Sequence, residues 1–311
     1  MCDTCGCNIT RANEHLIRPG GRHAHTPQGR ESVEVLANLL SENDRTAAHN
    51  REHFDRHQVL ALNLMSSPGA GKTLLLEATI DALGAEICVG VIEGDLETEN
   101  DARRIRARGV EAIQIATGSA CHLDAHMVHD ALHHMDLDRL DVLFIENVGN
   151  LVCPASFDLG QHRNITLLSV PEGDDKPAKY PVMFRAADLV LLSKTDLLPY
   201  LDEFEPGRAE RCLRELASAA PFLRIAATRS VDVNDWLQWL REEIAAHVVR
   251  VAGGESLRPA IQPEGAQRHA GKHTDARSHT HGHSHGLGQG HGKGHEHGSH
   301  GSAHPGRLAE I

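Results

Sequence analysis

The run Ser66-Ser67-Pro68-Gly69-Ala70-Gly71-Lys72-Thr73 holds the residue types needed to grip a polyphosphate. Gly69 and Gly71, with Ala70 between them, allow the backbone angles that point successive N–H groups at phosphate oxygens. A helix opening at Lys72 would aim the positive end of its dipole at the same anion. Lys72 supplies a cation for the β- and γ-phosphates, and Thr73 supplies a hydroxyl for Mg²⁺. Ser66 stands where the strict P-loop pattern has Gly. The plain alternative is a Gly-rich loop that merely turns the chain. The apolar run Val59–Met65 before it and the helical pattern Lys72–Leu83 after it favour a phosphate cradle.

Further carboxylates follow later apolar runs. Asp95 comes in Glu93-Gly94-Asp95, after Ile87–Ile92, and Glu146 comes in Glu146-Asn147-Val148-Gly149, after Val142–Ile145. A carboxylate at either place could hold Mg²⁺ through water or position an attacking water. Asp95 also reads as a helix N-cap. Ser193-Lys194-Thr195-Asp196 resembles the guanine-reading Asn-Lys-x-Asp loop of GTPases. Asp196 would accept from guanine N1–H and N2–H₂, which adenine does not offer, and Lys194 would lie along the base. Ser193 replaces the Asn, so one base or loop-bracing contact is weakened or rebuilt.

Metal-ligating types cluster three times. Cys2, Cys5 and Cys7 offer three thiolates within seven residues, suited to nickel or zinc, with a redox thiol pair as the alternative. Cys121-His122 cannot saturate an ion alone, so Cys153 or a second subunit must complete the set. Singly, Cys121 and Cys153 would read as small buried hydrophobes, and Cys88 and Cys212 keep that reading. His126, His129, His133 and His134 read as helix-surface residues whose spacing permits weak metal pairing. The densest tract, His279, His281, His283 and His285, lies among glycines that let a chain wrap several Ni²⁺, Zn²⁺ or Cu²⁺ ions. The chain has 24 histidines, and this tract gives them a purpose as a metal buffer.

The elements that must position these groups alternate. Residues 57–251 read as strands and helices in turn, which implies an α/β domain with a mostly parallel sheet flanked by helices and ligand loops at strand C-termini. Residues 31–56 read as a charged helical lead-in. Residues 1–30 and 252–311 have too little apolar material for a core and read as disordered tails. The formal charge of −12 excludes nucleic acid as a default partner. No apolar stretch is long enough to span a membrane, and the start is no secretory signal. A cytoplasmic setting follows, in which seven cysteines stay reduced and clustered ones read as ligands.

Taken together, the sequence resembles the hydrogenase nickel-incorporation GTPase family, HypB. The matching residues are Met1–Cys7, Ser66–Thr73, Val91–Asp95, Gly118–His122, Glu146–Pro154, Val170–Pro177 and Lys194–Tyr200. They cover the nucleotide domain and the extreme N-terminus. The urease nickel-insertion GTPases are a sister family with a Cys-Pro-His metal motif; here Cys and His are adjacent. The resemblance implies the P-loop NTPase fold, Mg²⁺-dependent GTP hydrolysis, nucleotide-linked homodimerisation and nickel transfer to a [NiFe] hydrogenase large-subunit precursor. It implies nickel or zinc at Cys121, His122 and Cys153 near the dimer interface, and a high-affinity nickel site at Cys2, Cys5 and Cys7. It implies a small zinc- and nickel-binding maturation protein as partner. Ser193 departs from the family pattern, as does a His-rich tract that follows the GTPase domain. The rival readings are a nickel store with a vestigial nucleotidase and an ATPase chaperone.

Overall fold

The apolar run before the Gly-rich loop forms β1, Leu60–Ser66, and all seven residues are buried. A strand covered by helices on both faces reads as continuously apolar, which is why no alternation marks it. The computed structural model describes residues 27–95, 100–118, 120–216, 218–228 and 230–259, and only the backbone of residues 27–40, 230 and 231. Most of the two expected tails, residues 1–26 and 260–311, lies outside the described residues.

In chain order the elements are α1 (Pro27–Arg56), β1, α2 (Lys72–Leu83), β2 (Val89–Asp95), α3 (Asn100–Arg106), β3 (Glu111–Ala116), α4 (Ala125–Leu132) and β4 (Val142–Glu146). There follow β5 (Arg163–Ser169), α5 (Lys176–Lys179), α6 (Pro181–Ala186), β6 (Leu189–Ser193), α7 (Pro206–Glu215), β7 (Phe222–Arg224) and α8 (Asn234–Ala252). The seven strands lie in the order β3-β2-β4-β1-β5-β6-β7, and every pair is parallel. From β1 the chain passes to β2 and out to the edge strand β3, returns as β4 between β2 and β1, then builds outward on the other side from β5 to β7. The crevice at the C-terminal end of β1 is therefore a topological switch point, where α/β sheets bind ligands.

Each sheet face has its own core. Leu62, Leu64, Leu75, Phe144 and Trp236 pack on the side of α2 and α8. Phe54, Ala61, Ile92, Leu123 and Ile145 pack on the side of α1 and α4. Buried asparagines tie α1 to α4: Asn43 Oδ1 accepts from Ala125 N–H at 2.9 Å, and Asn50 Nδ2 donates to Ala125 O at 2.8 Å.

Several boundaries differ from the sequence reading. The helix read as His122–Met135 begins at Ala125, because Asp124 caps it by accepting from Met127 N–H at 2.8 Å. Asp95 is the last residue of β2 rather than a loop residue beyond it; the capping alternative touches residues 96–99, outside the described residues. Cys88 is exposed, not a buried strand residue. It precedes β2, where its N–H donates to Asp141 Oδ2 at 2.7 Å. Among the described residues no helix is long and apolar enough to cross a membrane.

Candidate nucleotide and metal sites

The Gly-rich loop turns from β1 into α2 through Gly69 at φ 76° and Gly71 at φ 100°, conformations that favour glycine. Gly149, on the loop after β4, presses against it: a Cβ there would fall 2.8 Å from Pro68 Cα. Lys72 is buried and donates from Nζ to Ser66 Oγ at 3.1 Å. The serine at the irregular position thus holds the lysine, while its own hydroxyl donates to Ser67 O at 2.6 Å.

Thr73 Oγ1 donates to Glu146 Oε1 at 3.0 Å. Parallel register places Glu93 of β2 directly beside Glu146 of β4. Two carboxyls and one ammonium are thus buried together. Burial, and secondly the charge of Glu146, push the Glu93 carboxyl up to about 10. Burial also raises Glu146, against the pull of Lys72. Glu93 therefore keeps its proton at neutral pH, next to a Glu146 carboxyl whose ionisation burial also disfavours. Glu93 Oε2 and Glu146 Oε2 are buried and have no hydrogen-bond partner among the described residues. Asp95, Asp101 and Arg104 line the same cavity, about 390 Å³, with Lys72, Thr73 and Glu146.

At the end of β6, Ser193 Oγ donates to Ala70 O at 2.7 Å. The loop-bracing contact is rebuilt with a hydroxyl in place of the amide. Lys194 has φ 58°, and Asp196 is half-buried and accepts from Thr228 Oγ1 at 3.4 Å. Glu172, after β5, accepts from Ser169 N–H at 3.0 Å. Burial raises its carboxyl, against that hydrogen bond and the charges of Lys176, Lys194 and Lys72.

Cys121, His122 and Cys153 come together. Cys121 Sγ lies 3.1 Å from Cys153 Sγ and 3.8 Å from His122 Nδ1. His122 is buried and stacks on Phe157, with ring centroids 3.9 Å apart. Burial holds its imidazole below the usual range, against the charge of Asp124, so it is neutral at pH 7, the form that ligates. Two thiols and an imidazole are a donor set for zinc or nickel, one ligand short of a tetrahedral set. Cys2, Cys5, Cys7, His279, His281, His283 and His285 lie outside the described residues.

Sequence reasoning passed over Glu93, Glu172 and Ser66 as working groups. Glu93 carried a signal: a lone carboxylate inside an apolar strand must find a partner when buried.

The fold and the cradle define a P-loop nucleotide-binding protein, and residues 60–224 match the family described as the CobW/HypB/UreG nucleotide-binding domain. The hydrogenase maturation factor HypB of Escherichia coli K12 is 50% identical over 226 residues, covering 73% of this chain and 78% of that protein. HypB of Azotobacter vinelandii is 49% identical over 226 residues, covering 72% and 74%. The crystal structure of Helicobacter pylori HypB in complex with nickel superposes with TM-score 0.64 at 42% identity, over 67% of this chain and 97% of that one. HypB of Archaeoglobus fulgidus does so with TM-score 0.62 at 36% identity, over 66% and 100%. The chain belongs to the HypB family of hydrogenase maturation factors.

Proposed function

We propose that this chain is a Mg²⁺-dependent GTPase that delivers nickel during [NiFe] hydrogenase maturation. The observation that carries the reading is the Cys121, His122 and Cys153 cluster, whose third ligand hangs from the loop that begins at Glu146. Lys72 and the backbone of Gly69, Ala70 and Gly71 hold the phosphates. Thr73, Asp95 and Glu146 hold Mg²⁺, and the donorless oxygens of Glu93 and Glu146 beside the Thr73 hydroxyl fit a small hard cation. When bound, that ion neutralises charge developing on the transferred phosphoryl group. Asp196 and Lys194 read guanine, and Ser193 keeps their strand tied to the phosphate loop.

Nickel is the cargo. Cys121, His122 and Cys153 bind it in a set that the nucleotide state rearranges through the loop after Glu146. Val152, 53% exposed beside Cys153, gives that loop an apolar face for a second copy of the chain. Cys2, Cys5 and Cys7 form a further nickel site, and His279, His281, His283 and His285 store nickel or zinc. The small nickel- and zinc-binding maturation protein and the hydrogenase large-subunit precursor are its partners in the cytoplasm. The test is nickel affinity in a C2A/C5A/C7A background, read from thiolate-to-nickel absorbance that C121S removes. Unequal affinities with a GTP analogue and with GDP are expected; equal ones sink the reading. Competition of GTP with ATP, repeated in D196N, tests the base assignment.

A further inference from the structure

Four histidines left over from the nucleotide and cysteine sites meet where α1 packs against α4. His49 and His53 stand one turn apart on α1, with their Nε2 atoms 3.1 Å apart. His129 lies on the facing helix, its ring centroid 5.2 Å from that of His49 and 6.0 Å from that of His53. His133, one turn on at the end of α4, has its centroid 4.7 Å from that of His129. One ring nitrogen each of His49, His53 and His129 lies within 4.8 Å of the others.

We propose that His49, His53 and His129, with His133 or water as the fourth ligand, form a second metal site in the folded domain, taking a late first-row divalent cation such as Zn²⁺ or Ni²⁺. Metal–nitrogen bonds of about 2.0–2.1 Å in a tetrahedron set ligand–ligand edges of roughly 3.3–3.4 Å. The His49–His53 pair already stands near that edge. His129 is within roughly 1.5 Å of it, a distance that side-chain rotation covers.

The surroundings prepare these rings for an ion. Asn50 is fully buried, and its Nδ2 donates to Ala125 O at 2.8 Å and Leu159 O at 3.0 Å. Its amide orientation is thereby settled, so Oδ1 accepts the proton of His129 Nδ1 at 3.0 Å. That leaves Nε2 of His129 as the nitrogen with the free lone pair. An imidazole oriented through its other nitrogen is how proteins hold metal-binding histidines. Burial, and then the neighbouring imidazoles, hold His53 and His129 below the usual range, so both are neutral at pH 7. Arg51, next to Asn50, donates from Nη2 to Asp158 at 2.6 Å and anchors α1 beside the cluster. The site uses nitrogen donors alone and stands apart from the thiol set, although α4 begins three residues after His122.

The test is diethyl pyrocarbonate labelling of the full chain, resolved by peptide mass spectrometry, in buffered Zn²⁺ and separately Ni²⁺. His49, His53 and His129 should lose reactivity together, with one shared midpoint. Labelling should slow about tenfold once free metal is ten times the dissociation constant. The exposed His134 should be unaffected. H53Q should abolish protection of His49 and His129 and leave His134 labelling unchanged, with circular dichroism as the fold check. H129Q should do the same for His49 and His53. Unchanged reactivity at saturating Zn²⁺ and Ni²⁺, separate midpoints, or protection that survives H53Q would each overturn the proposal.

Discussion

Replacing Glu93 with Gln decides whether the carboxyl pair beside the phosphate cradle holds a proton. Glu93 is 2% exposed and faces Glu146, with Lys72 as the buried cation nearby. With one shared proton the three groups sum to zero charge; without it they leave a net negative charge in the interior. The Glu93 carboxyl titrates near 10 when folded, against an ordinary value of 4.5. The unfolded chain ionises above 4.5 while the folded one keeps its proton. Stability of the metal-free, nucleotide-free chain is therefore undiminished by this group below 4.5, falls as pH rises, and levels off above about 10. By pH 7 the loss is about 3 kcal/mol, at about 1.4 kcal/mol per pH unit. Gln ionises in neither state, and its amide N–H can donate to Glu146 as the carboxyl proton does. E93Q should thus match or exceed the wild type at pH 7, and its stability should be flatter between pH 5.5 and 8.5. An ionised Glu93 paired with Lys72 predicts the opposite, a loss of about 3–5 kcal/mol on removal. Urea unfolding of chelated protein at four pH values separates the two. An E93Q chain several kcal/mol weaker at pH 7, with the wild-type slope, would refute the shared proton.

Ser193→Ala removes the buried donor to Ala70 O and should cost about 1–2 kcal/mol, read as a lower urea midpoint with unchanged slope. Gly149→Ala puts a methyl 2.8 Å from Pro68 Cα and should weaken GDP binding at least about tenfold, or about 1.4 kcal/mol, in a fluorescent-nucleotide titration. His247 is buried, and burial, then the charge of His162, push it down to about 3. Its depressed pKa leaves stability intact above about 6.5 and erodes it as pH falls towards 3, by about 2 kcal/mol at pH 5. His247→Leu should remove that acid sensitivity, seen as a smaller difference between urea midpoints at pH 7.5 and pH 5.

What the sequence reveals is what chemistry concentrates locally. The phosphate loop, Glu146, Asp196 and the adjacent Cys121 and His122 are legible because each sits in a short motif at a strand end. Partnerships made by register or by distant approach are not. Glu93 meets Glu146 only because β2 and β4 are neighbours in that register. Ser193 reads as a defect until Ala70, 123 residues away, supplies its acceptor. Cys88 sits between Ile87 and Val89 and passes for a strand residue, yet the strand begins one residue later. His129 and His133 read as surface residues because nothing local says that α1 carries His49 and His53 to meet them.

The cysteine cluster and the nucleotide cradle share their supports. Asn147, 1% exposed, follows Glu146 and donates from N–H to Leu64 O at 3.0 Å, on the strand that leads into the phosphate loop. Its Nδ2 donates to Asn63 Oδ1 at 3.2 Å, and its Oδ1 accepts from Leu123 N–H at 3.2 Å, one residue after His122. Leu123 in turn packs on Gly94, where a Cβ would fall 2.8 Å from its side chain. Cys153 depends on the same loop, since Asn150 Oδ1 accepts from Val152 N–H at 2.8 Å and Cys153 N–H at 3.4 Å. Glu146, the last residue of β4 just before that loop, accepts from Thr73. Moving residues 146–150 therefore shifts the anchor of His122 and the anchor of Cys153 at once. Coupling between phosphate and thiol sites needs no long relay in this chain: one loop of a few residues touches both. By linkage, any factor by which nucleotide changes metal affinity must equal the factor by which metal changes nucleotide affinity.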